Sequence, residues 1–106
     1  MEIKTYNKLV RDNIPAIIEA TGAVCETEVL SDADYLRALD QKLSEELAEY
    51  HKDQSIEELA DLMEVIYACA KARGYTVAEL EAVRAGKADK RGGFDGKILL
   101  RTVTED

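Results

Sequence analysis

The sequence has one proline, one histidine, no tryptophan and only two cysteines in 106 residues. Cys25 and Cys69 form no CxxC pair and have no closely spaced Cys/His set around them. A disulfide framework or structural zinc site therefore has no basis, and free thiols are expected. No apolar run approaches the roughly 18 residues of a membrane span, and the opening MEIKTYNKLVRD lacks the apolar stretch of a signal peptide. The expectation is a cytoplasmic chain. Basic residues are the minority, 14 against 22 acidic, for a formal charge of -8 and a pI near 4.7. Neutralising a polymer of phosphates takes a basic stripe, so this balance argues against a nucleic-acid polymer as partner.

What is present suffices for one domain over residues 1–106, with 46% hydrophobic and 34% charged residues, unlike the apolar-poor composition of a disordered chain. A chain this short buries only about 60 to 65% of its unfolded surface, which makes a homodimer or higher homo-oligomer the expectation. The sole proline, Pro15, suits the first turn of a short helix ending near Ala20, with Gly22 as its stop. After Ser31 and Asp32, either able to cap, Leu36, Leu39, Leu43, Leu47 and Tyr50 recur at spacings of three and four, predicting a helix from about Ala33 to Lys52. Ser55 opens another, in which Leu59, Leu62, Met63, Ile66 and Ala70 keep the same period until Gly74. Thr76 with Glu79 reads as a capping box starting a last helix to about Lys90. Segments 24–30 and 98–103 carry extended character and are expected to form a short β-hairpin. The fold class is all-α: an antiparallel bundle around a central two-helix hairpin, because only a few residues near Asp53 and Gln54 join the two long helices.

Charge is segregated along the chain. Residues 40–64 hold nine acids and two bases, and residues 84–97 hold five bases and two acids. On the first long helix Glu46 borders the apolar stripe, and Glu45, Glu49 and Asp53 form a like-charged i, i+4, i+8 series that something positive must offset. Antiparallel pairing sets Glu46 and Glu49 beside Glu58 and Asp61 of the next helix. Four converging carboxylates with no His or Cys suit a hard cation, Mg²⁺ or Mn²⁺, and magnesium uses phosphate oxygens as further ligands, which points to a polyphosphate substrate. Glu58 taken alone reads as the acid of an S-x-x-E capping box with Ser55. The joint pattern of two i, i+3 carboxylate pairs favours a metal site.

The run Glu45-Glu46-Leu47-Ala48-Glu49 followed by Glu58-Leu59-Ala60-Asp61 resembles the EExxE and ExxD signature of the all-α nucleotide pyrophosphohydrolases, the MazG-like superfamily that includes phosphoribosyl-ATP pyrophosphohydrolase. The opening Tyr6-Asn7-Lys8-Leu9-Val10-Arg11-Asp12 and the later Lys87, Lys90 and Arg91-Gly92-Gly93-Phe94 are similar to a small bacterial and phage subgroup, so the likeness spans nearly the whole chain. It implies a Mg²⁺-dependent enzyme that cleaves a nucleoside triphosphate or phosphoribosyl-ATP-like substrate between its α and β phosphates, usually as a dimer or larger assembly. It assigns Glu46, Glu49, Glu58 and Asp61 as metal ligands.

Under that resemblance Lys8, Arg11, Lys87, Lys90 and Arg91 become candidates for substrate phosphate binding, although basic residues in a last turn also complement a helix C-terminus. Glu45 or Glu49 is the candidate to take a proton from the attacking water. Gly92 and Gly93 read equally as a helix-ending turn, and the lone His51 as a surface residue. The competing class is a non-enzymatic helical interaction or regulatory module that presents an acidic face to another protein.

Overall fold

The computed structural model describes residues 2–105, and it is all-α, as the periodicities require. Helix α1 spans Ile14–Glu19, α2 Asp32–Asp53, α3 Ile56–Ala72 and α4 Val77–Arg91. Each long helix begins on a hydroxyl cap. Ser31, Ser55 and Thr76 accept from the backbone N–H three residues on, in Asp34, Glu58 and Glu79, which satisfies one amide that has no partner in the first turn. At α4 the glutamate returns the favour: Thr76 N–H donates to Glu79 Oε1 at 3.2 Å while Glu79 N–H donates to Thr76 Oγ1 at 3.0 Å. That is the full box expected from the sequence.

α2 and α3 form the antiparallel hairpin at the centre and carry most of the packing between elements. The reversal turns on Gln54, which adopts the left-handed conformation (φ 52°) and donates its N–H to the Tyr50 carbonyl. Leu39 of α2 and Val65 of α3 are the two well-buried apolar side chains among the described residues, at 3% and 8% exposure. α4 leaves α3 after Gly74, whose positive φ suits a residue without a Cβ, and touches α3 along a cleft lined by Met63, Ile66, Tyr67 and Leu80. α1 packs against none of the other helices.

One expectation is corrected. Segments 24–30 and 98–103 form no strand, and no strand occurs among the described residues. Val29 and Ile98 are almost wholly solvent-exposed, and a two-stranded ribbon with no apolar surface beneath it is marginal in water. Leu47, Leu59, Met63 and Ile66 of the periodic apolar stripes are each more than a third exposed, because a single hairpin covers one face of α3 and leaves the other open.

Candidate metal centre

The hairpin sets the late turns of α2 beside the early turns of α3, and this is where the acidic residues meet. Carboxylate oxygens of Glu46, Glu58 and Asp61 lie within 4.8 Å of one another, as do those of Glu49, Asp53 and Glu58. Glu58 belongs to both groups. All four expected ligands therefore fall in one acidic centre, although Glu49 joins it through Asp53 and Glu58 rather than through Glu46 and Asp61. Farther along the hairpin, burial, with Asp40 adding to it, pushes the Cys69 thiol up.

The Glu58 side chain decides between capping and clustering. Its backbone N–H donates to Ser55 Oγ at 3.3 Å, so Ser55 caps α3. Unlike Glu79 of α4, Glu58 does not return a carboxylate to the cap amide. It turns instead to the other acids. Partial withdrawal from solvent, then Asp53, Asp61, Glu49 and Glu46, push its pKa above the ordinary glutamate value, as expected when like charges share a small volume.

Three cations face the centre. Lys42, one helical turn before Glu46, places Nζ 3.3 Å from Glu46 Oε1 and 3.4 Å from Glu45 Oε1. Lys8 Nζ donates to Glu45 Oε1 at 2.9 Å, and Arg11 Nη2 donates to Asp61 Oδ1 at 2.7 Å. Glu45 is thereby held below the ordinary carboxylate range, chiefly by the Lys8 hydrogen bond with Lys42 assisting against desolvation, and Lys8 is raised in turn. Glu45 is thus engaged with cations and lies outside both acidic groups, whereas Glu49 is exposed beside Glu58 and Asp53.

The basic residues of α4 behave differently. Lys87, Lys90 and Arg91 are exposed, and among the described residues no ion pair joins them to the acidic centre. Arg84 is spent within its own helix on Glu81, at 2.5 Å. Gly92 ends α4 with φ 81°, so Gly92 and Gly93 act as a helix-ending turn. Sequence reasoning missed Lys42 and Asp53 as members of the centre. The i+3 and i+4 spacing from Lys42 to Glu45 and Glu46, and the i+4 spacing from Glu49 to Asp53, are signals that would have found them.

The donor set fits a hard divalent cation. It is made of carboxylate oxygens alone, with no nitrogen or sulfur, which suits Mg²⁺ or Mn²⁺ rather than Zn²⁺. Carboxylate oxygens within 4.8 Å of one another are near enough for one ion to gather them.

No helix is long and apolar enough to cross a membrane among the described residues. No protein-family model matches the chain, and no solved structure matches it. It is similar to an uncharacterised protein of Mycolicibacterium smegmatis, with 52% identity over 42 residues, a stretch covering 40% of this chain and 43% of that protein. The chain thus spans less than half of the relative's length, and the likeness carries no activity with it.

Proposed function

We propose that the chain is a Mg²⁺-dependent nucleotide pyrophosphohydrolase, acting on a nucleoside triphosphate or a phosphoribosyl-ATP-like substrate between the α and β phosphates to release pyrophosphate, and working as a homodimer or larger homo-oligomer. The observation that carries it is the placement of Glu58, whose carboxylate forgoes its cap and lies against Glu46 and Asp61 on one side and Glu49 and Asp53 on the other. Among the described residues Lys8, Arg11 and Lys42 pair with Glu45, Asp61 and Glu46, but no ion pair engages Glu49, Asp53 or Glu58. A fold gains nothing from crowding like charges that nothing positive offsets. The motif resemblance supplies the reaction class, and the all-oxygen donor set supports the choice of metal.

In this assignment Glu46, Glu58 and Asp61 hold the cation, with Glu49 and Asp53 adjoining through Glu58. A bound divalent cation supplies an activated water and neutralises charge on the phosphoryl group. Glu49 is the better placed proton acceptor, because Glu45 already accepts from Lys8 and Lys42, which makes it a poor base. Lys8 and Arg11 stand at the acidic centre, and ammonium and guanidinium groups there suit the outer oxygens of a polyphosphate.

The test is a panel of standard and modified nucleoside triphosphates and phosphoribosyl-ATP, assayed with Mg²⁺ and with chelator. The expected products are a nucleoside monophosphate and pyrophosphate in the Mg²⁺ arm only. Glu49→Gln and Asp61→Asn are expected to lose turnover while keeping the helical circular dichroism of the parent. Orthophosphate as the sole phosphate product would place the cleaved bond elsewhere. No turnover of any compound would favour an acidic interaction module.

A further inference from the structure

The stretch before α1 touches the bundle at a place where charge, rather than packing, holds it. Lys8 and Arg11 are three residues apart, yet their partners belong to different helices, Glu45 on α2 and Asp61 on α3. The two ion pairs span 37 and 50 residues of sequence. α1 itself packs on no other helix, so these pairs, with half-buried Leu9 between them, fasten the segment to both helices that carry the acidic centre. Asn7, in the left-handed region at φ 48°, turns the chain just before Lys8, and the Lys8 ammonium stands 5.9 Å from the Tyr6 ring.

We propose that residues 6–12 are a cationic strap over the carboxylate centre: Arg11 and Lys8 hold Asp61 and Glu45, yield Asp61 to a divalent cation, and pass to the phosphates of the incoming ligand. This deepens, and presupposes, the pyrophosphohydrolase assignment. Arg11 occupies one of the two oxygens that Asp61 has for a cation, so guanidinium and metal compete for it. The contacts are made to open. Both pairs are solvent-exposed, with 57% and 42% of the Arg11 and Asp61 side chains accessible, and exposed pairs of this kind are weak and screened by salt. A guanidinium binds phosphate with two parallel hydrogen bonds, so a phosphate-bearing ligand offers Arg11 a stronger partner than the single 2.7 Å contact. The strap therefore couples metal loading to anion binding, since each frees what the other needs.

Titration of Mn²⁺ alone into the full chain, followed by the electron paramagnetic resonance of free Mn²⁺, tests the competition directly. Arg11→Gln and the Lys8→Gln/Arg11→Gln pair are expected to bind Mn²⁺ more tightly by about two- to five-fold, the range set by removing an exposed ion pair. With a protein-free Mn²⁺–pyrophosphate titration as the baseline, inorganic pyrophosphate should tighten Mn²⁺ binding to the parent and do so less in the variants. Backbone ¹⁵N relaxation gives a readout that needs no substitution: residues 6–12 should become more mobile when Mg²⁺ or 0.5 M KCl (on the order of a 4 Å screening length) is added to the parent. Unchanged or weaker Mn²⁺ binding in the variants, or mobility in residues 6–12 that ignores Mg²⁺, overturns the strap. If Mn²⁺ binds and Mg²⁺ loosens the segment but no nucleotide is hydrolysed, the strap stands and the pyrophosphohydrolase assignment falls. Turnover with no gain in Mn²⁺ affinity gives the reverse, and absence of Mn²⁺ binding in every form removes both.

Discussion

Glu58 shows how one side chain can be taken from a local role and given to a tertiary one. Its raised pKa means that the folded chain holds this proton more tightly than the unfolded chain does. The contribution therefore favours folding below the ordinary glutamate value of 4.5 and turns against it as pH rises through the raised value. Glu45 has the opposite sign, because its lowered pKa contributes stability above the ordinary value that is lost as pH falls through the lowered one. Glu58→Gln in chelator-treated, low-salt buffer is accordingly expected to raise the melting temperature near about pH 7, and the gain should vanish below 4.5. Ser55 still caps the helix in this variant, since it accepts from the residue 58 amide and not from the side chain. Divalent cation should reverse the order. At 100 times its dissociation constant it stabilises the parent by about 2.7 kcal/mol, on the order of 10 °C for a chain of this size, and this gain should shrink in Glu58→Gln. A lower melting temperature for Glu58→Gln in chelator at neutral pH would show that the acids do not repel as placed.

Among the elements, the α2–α3 hairpin carries both the core and the centre, so its stability should depend on few residues. Leu39→Ala removes the most buried side chain of the described residues, and truncations of this kind cost about 2 to 5 kcal/mol; thermal melts should show a lowered and broadened transition. The turn offers the opposite lever. Gln54 adopts a left-handed conformation that costs a residue with a Cβ roughly 1 kcal/mol or more, so Gln54→Gly is expected to gain up to about 1 kcal/mol in urea unfolding. These helices and caps were legible in the sequence because the signals are local: a hydroxyl, a period of 3.6 residues, a glycine. Short connection length then sufficed to pair α2 with α3 and to bring Glu46 toward Asp61. Local patterns failed where tertiary context decides. Segments 24–30 and 98–103 have strand-like composition but no surface to pack on, and the sequence does not disclose that lack. The route by which Lys8 and Arg11 reach carboxylates 37 and 50 residues away has no periodic signature either, and neither does the divergence of α4 that leaves Lys87, Lys90 and Arg91 apart.

At the scale of the molecule, the protein is too open for its mass. A compact monomer of 11.8 kDa exposes about 5,900 Å², whereas this chain exposes 9713 Å². Its radius of gyration is 18.8 Å, against about 13 Å for a compact domain of this length. Extended ends account for part of the difference, but the open face of α3 is helical and apolar. Ile56, Leu59, Met63 and Ile66 fall within about 80° of one another on that helix, on the side away from Val65, and are 38–77% exposed. Obligate dimers bury about 2,000 to 5,000 Å² in total, which the excess surface of two protomers supplies with room to spare. A second copy across a two-fold axis would set each α3 stripe against its equivalent and complete the bundle. Sedimentation at micromolar concentration should therefore give at least twice 11.8 kDa, with a melting temperature that rises with protein concentration. Met63→Glu should lower both the mass and the melting temperature by placing a charge in the stripe. A parent chain that sediments as a folded 11.8 kDa monomer, with a melting temperature independent of concentration, would show that the α3 face stays open to solvent.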